Sequence, residues 1–275
     1  MTRLGLALIV VVGAATLTFA RAVAQGQVAF EVASVKPNDS GESRTYFNVP
    51  PGVRWTNVTL RALIVRAYDI PPTVERFTLV GGPDQILAAR FDVTAKEPEG
   101  SPAGQTMAML RTLLAERFNL RVHRETRQMP IYAVTMVREG ALGSDLRPSP
   151  HDCVAFAAAG GRRTDDNAPH DANGQALCFN SDILRAGLLT MQNAGPVSQL
   201  LTRVQGFVDR PLIDATGLTG SYQWRLAFSA SGPVANSPHP SIYTALREQL
   251  GLKLDPRTGP VEVLVVDSVE RPTPD

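Results

Sequence analysis

Residues 107–137 read MAMLRTLLAERFNLRVHRETRQMPIYAVTMV, and residues 239–269 read HPSIYTALREQLGLKLDPRTGPVEVLVVDSV. Slid over one another at an offset of 132, without a gap, their apolar positions superpose. Leu110 meets Ile242, Leu114 meets Leu246, Phe118 meets Leu250, Leu120 meets Leu252, Ile131 meets Val263 and Val137 meets Val269. Thr112/Thr244, Glu116/Glu248 and Thr126/Thr258 are identities. At an offset of 131, Val53-Arg54 falls on Leu184-Arg185, Thr59-Leu60 on Thr190-Met191, and Arg90-Phe91-Asp92-Val93 on Ser221-Tyr222-Gln223-Trp224. Matches in one order at nearly one offset point to an internal duplication.

Each half follows one plan. Leu60–Tyr68 has apolar residues at helical spacing, with Asn57 or Thr59 as cap, and its counterpart is Met191–Val204, where Pro196 suits a helix start. A strand follows at Arg90–Lys96 and at Tyr222–Phe228; in the first, Phe91, Val93 and Ala95 alternate with polar residues. Second helices are expected over Met107–Arg117 and Ser241–Leu250, ending at Asn119 and Gly251 in left-handed backbone. Each half then closes with two strands, 120–125 with 130–137 and 252–255 with 261–267, the latter turning through Asp255-Pro256-Arg257-Thr258-Gly259. The expected fold is α+β: two tandem repeats, each with two helices on a small, mainly antiparallel sheet. The expected boundaries are 25–137 and 183–275, joined by an irregular connection at 138–182.

The N-terminus carries Arg3, an apolar run from Leu4 to Ala20, and Ala22-Val23-Ala24 before Gln25, which reads as a signal peptide over 1–24 with cleavage after Ala24. Export to the periplasm or beyond is therefore expected, with no membrane span after cleavage. In an oxidising compartment the two cysteines, Cys153 and Cys178, are expected to form a disulfide. At 44% hydrophobic residues the chain can fill a core, and a net charge of +1 offers no general attraction to nucleic acid or an anionic membrane.

Certain stretches resemble a known family. Phe30-Glu31-Val32-Ala33-Ser34-Val35-Lys36-Pro37, Arg90–Lys96, Leu113-Leu114-Ala115-Glu116-Arg117-Phe118, Asp214-Ala215-Thr216-Gly217-Leu218-Thr219-Gly220 and Glu248-Gln249-Leu250-Gly251-Leu252-Lys253 look like a soil-associated family of secreted proteins of unknown function, abundant in acidobacteria-like genomes. The resemblance implies export and a shared fold, and brings no activity or ligand. Each half is also faintly similar to the small N-terminal modules of secretins and TonB-dependent transporters, an analogy of fold alone.

Candidate chemistry is sparse. His151, Cys153, His170 and Cys178 have zinc-ligand types at a spacing that fits no standard zinc pattern, and the disulfide is the simpler reading. Asp214-Ala215-Thr216-Gly217 has an extra residue relative to the Asp-Thr-Gly of aspartic proteases and no matching Asp in the first half; it reads as a turn, with Gly217 and Gly220 at positive φ. There is no G-x-S-x-G elbow, and His123 falls on an expected strand without an evident partner. Trp55, Tyr68, Phe91, Tyr222 and Trp224 are candidates for lining a groove between the halves, against the commoner reading of such aromatics as core. Arg121, Arg124, Arg127 and Arg138 read as a solvated edge. No catalytic residue, metal or cofactor is expected. The resulting functional expectation is a binding or envelope-assembly module that engages a partner through exposed strand edges; an exported hydrolase with a dispersed site between the halves is the alternative.

Overall fold

The computed structural model describes residues 28–42, 44–48, 53–102, 104–162, 167–171, 174, 176–178, 182–230 and 238–272; the expected signal peptide lies outside them. In chain order the elements are β1 (Val32–Pro37), β2 (Tyr46–Asn48), β3 (Val53–Thr59), α1 (Leu60–Ala67), α2 (Glu75–Thr78), β4 (Leu79–Gly81), α3 (Asp84–Leu87), β5 (Arg90–Lys96), α4 (Thr106–Arg117) and β6 (Arg121–Met136). They continue with β7 (Leu146–Pro148), α5 (Cys153–Ala158), β8 (Ile183–Arg185), β9 (Leu188–Gly195), α6 (Val197–Val204), β10 (Leu212–Asp214), β11 (Tyr222–Ser229), α7 (Ile242–Gln249) and β12 (Leu252–Ser268). The architecture is α+β.

Three four-stranded sheets run in the orders β1-β5-β3-β2, β7-β11-β9-β8 and β10-β6-β12-β4. Helices α1 and α4 cover the first around Trp55, Leu63, Phe91, Leu110 and Phe118. Helices α6 and α7 cover the second around Leu200, Val204, Trp224, Phe228 and Leu246. Local chemistry sets the helix starts: Thr59 accepts from the Ala62 amide at 3.1 Å, and Ser241 from the Thr244 amide at 3.2 Å. Asn119 and Gly251, which follow α4 and α7, both have left-handed backbone, with φ of 47° and 70°.

The third sheet overturns the two expected terminal hairpins. Residues 121–136 form one strand and 252–268 another, and they pair with each other antiparallel from Leu252↔Met136 to Val266↔Val122. The Asp255–Gly259 segment is extended within β12, and Gly259 is not among the residues with positive φ. Its composition suits a turn, but it suits an edge strand equally. Tyr132 donates its amide outward to the Pro211 carbonyl, so Tyr132↔Pro256 is a pair that exchanges no hydrogen bonds. Thr258↔Pro130 and Pro260↔Gln128 follow at two-residue steps and share that state. All three prolines thus sit where the nitrogen points away from the partner strand and no ladder bond is lost. Gly259 leaves room for a neighbour: a β-carbon there would meet the Ile131 Cδ1 atom, the far end of a flexible side chain, at 2.5 Å.

Short strands flank the ribbon in a crossed arrangement. β4 runs parallel to β12 (Leu79↔Leu264), and β10 runs parallel to β6 (Leu212↔Tyr132). The end of β12 contributes Leu264 and Val266 to the first core, joined by Val269 just past the strand, whereas Val134 of β6 lies in the second. Neither core is complete without a strand from the other half of the chain.

Two of the early sequence matches fall on unlike elements. Thr59 ends β3 and caps α1, but Thr190 lies inside β9, whose strand extends to Gly195 before α6 begins at Val197. Likewise Val53-Arg54 opens β3 while Leu184-Arg185 belongs to β8. The first half reaches its helix sooner after the strand, and an ungapped offset cannot follow that difference. The connection at 138–182 holds more structure than expected: β7 pairs with β11, and α5 is capped by Asp152, which accepts from Val154 and Ala155. The Cys153–Cys178 disulfide closes over α5, next to Leu177 and Ala194.

One turn is strained. β8 and β9 are joined by Ala186-Gly187, with φ of 48° and 82°. This two-residue turn demands left-handed backbone at both positions, and alanine takes it at a cost of about 1–2 kcal/mol. Ala186→Asn is expected to stabilise the protein by about 1 kcal/mol, read as a higher denaturant midpoint with an unchanged slope.

Candidate binding groove

A concavity with residues from both halves lies where α2 approaches the α6–β10 loop, the end of β11 and the start of α7. It encloses about 700 Å³, within the size range of small-molecule sites. Its apolar walls are Phe77, Phe207, Phe228, Ile242 and Tyr243. Phe207 follows α6 in a 3-10 turn, is 38% exposed, and stands edge-on to the buried Phe228 at 4.9 Å.

Two charged groups face this space. Arg76 on α2 donates from Nη2 to the Val208 carbonyl, and its guanidinium lies 4.5 Å from the Phe77 ring centre. Asp209 accepts from the Tyr243 hydroxyl at 3.1 Å. Partial burial pushes the Asp209 carboxyl up, but its backbone amide and the Tyr243 and Tyr132 hydroxyls outweigh that and hold it below the usual range. Tyr243 is pushed well above a normal phenol, by burial first and then by Tyr132 and Asp209. Tyr132 packs edge-on against Tyr243 at 6.0 Å and carries Arg210 over its ring at 5.0 Å. At neutral pH the end of the groove therefore holds a carboxylate hydrogen-bonded by the neutral Tyr243 phenol.

The residues singled out from sequence lie elsewhere. Trp55 and Phe91 are buried in the first core and Trp224 in the second; Tyr222 packs partly buried against the second. Tyr68 caps the end of α1 beneath Arg111, whose guanidinium is 5.4 Å from its ring centre. None of them lines the groove. Asp214 forms a closed turn, its Oδ1 accepting from the Thr216 amide at 2.9 Å and hydroxyl at 2.8 Å, with Gly217 and Gly220 at φ of 71° and 85°. The two cysteines are bonded to each other, so neither supplies a thiolate to a metal. The groove residues carry no motif; the one sequence cue is the apolar pair Phe207-Val208 set beside Asp209-Arg210 between a helix and a strand.

His123 does have a partner. On exposed β6 its Nδ1 lies 2.9 Å from Asp267 Oδ1, with Glu125 3.6 Å from Nε2 and Arg127 beyond it. The hydrogen bond to Asp267 raises the imidazole above its ordinary value. The stabilisation from a raised folded-state value is full below the unfolded value and fades as pH rises through the folded one. Asp267→Asn is expected to lower the His123 titration midpoint toward 6.5, followed through the imidazole proton resonances.

Residues 61–269 match a family described as "Protein of unknown function (DUF3738)". The chain belongs to this family. The match runs from the second residue of α1 through β12 and takes in every residue of the groove. No curated protein and no solved structure matches the chain. Among the described residues, no helix is long and apolar enough to cross a membrane.

Proposed function

We propose that this DUF3738 protein is an exported, non-enzymatic binding module built from two related α+β repeats, with its ligand site in the groove beside α2. The observation that carries the reading is the groove's construction: α2 from the first half and the α6–β10 loop, β11 and α7 from the second meet around one open, aromatic-walled space.

Duplication is supported by matching sheet orders and by the long ribbon. Gln128 pairs with Pro260, and these two residues stand at the 132-residue offset that relates the halves. A pairing centred there is unchanged when the halves are exchanged, and the crossed strands β4 and β10 obey the same exchange. A further parallel is the pair of buried indoles: Trp55 faces Val93 under Arg66, and Trp224 faces Asn193 under Arg203. Export is supported by the N-terminal pattern and by the disulfide, which an oxidising compartment sustains. The secreted, soil-associated character implied by the sequence resemblance belongs to the same reading.

Strand edges give an assembly role a second footing. β8 is exposed along its length, with Leu184 at 62%, and among the described residues it pairs on one side only. The test of the main reading is a fragment screen by protein-observed NMR on the full chain. Shifts concentrated at Phe77, Phe207 and Tyr243 are the expected result; hits gathered on β8 instead would favour strand-edge assembly and discard the groove.

A further inference from the structure

Resting on the groove as the ligand site, we propose that it selects an apolar or aromatic carboxylate, whose ring lies among Phe77, Phe207 and Phe228 and whose carboxylate meets Arg76. The two charges in the groove are unequal in availability. Asp209 already accepts a hydrogen bond from the Tyr243 hydroxyl at 3.1 Å. Arg76 spends one donor on the Val208 carbonyl, and among the described residues no carboxylate lies within ion-pair reach of it. Glu75, next in sequence, turns the other way, toward Arg61 at 3.8 Å.

A guanidinium has five N–H donors in a planar fork that matches a carboxylate. Held at one nitrogen by Val208 and at its face by Phe77, that fork is fixed before any ligand arrives, which limits the ordering cost of binding. Apolar walls stand beside it, but Arg76 is itself exposed, so an ion pair formed there is only partly shielded from water. A cationic ligand would meet Arg76 at like charge and find Asp209 already hydrogen-bonded. A neutral apolar ligand would fill the walls and leave the fork unused. The carboxylate with an apolar body satisfies both parts of the lining.

The experiment titrates the full chain with phenylpropionate and with its neutral amide at neutral pH, by calorimetry and by NMR of the groove residues. The carboxylate is expected to bind about tenfold more tightly than the amide. Arg76→Gln should erase that difference, Arg76→Lys should keep part of it, and Phe207→Ala should weaken both probes alike. Because Arg76 also ties α2 to Val208, each variant's melting temperature is measured; Phe207→Ala, at an exposed side chain, leaves that tie intact. Equal binding of acid and amide, unmoved by Arg76→Gln, would overturn the carboxylate proposal while leaving the groove as a site. Binding of neither probe, with no shift at any groove residue, would overturn both.

Discussion

Breaking the Cys153–Cys178 disulfide is expected to lower the unfolding free energy by about 3 kcal/mol, the chain-entropy value for a loop of this length. The bond spans 25 residues and closes the segment that carries α5. Beneath it lies a small apolar cluster of the two cysteines, Leu177 and Ala194, with Phe156 against it, separate from the large cores. Asp152 caps α5, and Gln192 reaches the Ala176 carbonyl at 3.3 Å. With the covalent link gone, the unfolded chain regains the conformational freedom of that loop, and the native state loses that relative advantage. Cys153→Ser/Cys178→Ser is therefore expected to melt at lower temperature, with early loss of amide protection over α5. Because the two cores lie outside the loop, the double variant should still fold. A variant with an unchanged midpoint would show that β7, α5 and Leu177 already fix the segment without the bond.

What could be read from the sequence follows how local each determinant is. β5, α4, β11 and α7 have periodic apolar faces whose packing partners are close in the chain, and their bounds lie close to the expected ones. Asn119 and Gly251 were recognisable as helix-ending residues because left-handed backbone is a property of one residue and its neighbours. The central ribbon was not recognisable. Asp255-Pro256-Arg257-Thr258-Gly259 carries the composition of a turn, and only a partner strand more than a hundred residues away makes it extended. The alternation of paired and unpaired backbone groups along that ribbon is what makes its prolines harmless, and this depends on register, which no local pattern specifies. The groove was hidden for the same reason. Arg76, Phe207, Phe228 and Tyr243 come from separate segments, and each reads alone as an ordinary surface or core residue. The aromatics that stood out by size, Trp55 and Trp224, went to the centres of the cores.

The second large effect concerns two glycines at which a β-carbon would come too close to a neighbour, but where the neighbours differ. A β-carbon on Gly143 would sit 2.2 Å from the Gln249 carbonyl oxygen and 2.5 Å from the Leu250 carbonyl carbon. A β-carbon on Gly259 would sit 2.5 Å from the Ile131 Cδ1 atom. The second neighbour is the far end of a flexible side chain, which can rotate. The first is backbone, and it is pinned. The Gln249, Leu250 and Gly251 carbonyls, left without helical partners at the end of α7, accept from the Asp145, Gly143 and Val137 amides at 2.9, 3.0 and 2.8 Å. Gly143 is thus part of the strap that caps α7 and leads into β7, and moving it away breaks bonds on both sides of it. Gly143→Ala is expected to destabilise by about 3 kcal/mol, the upper end of overpacking costs. Gly259→Ala should cost under about 1 kcal/mol, since Ile131 can give way. Urea denaturation of the two variants side by side measures the contrast, and similar losses at both positions would mean that the 137–145 strap yields as readily as a side chain.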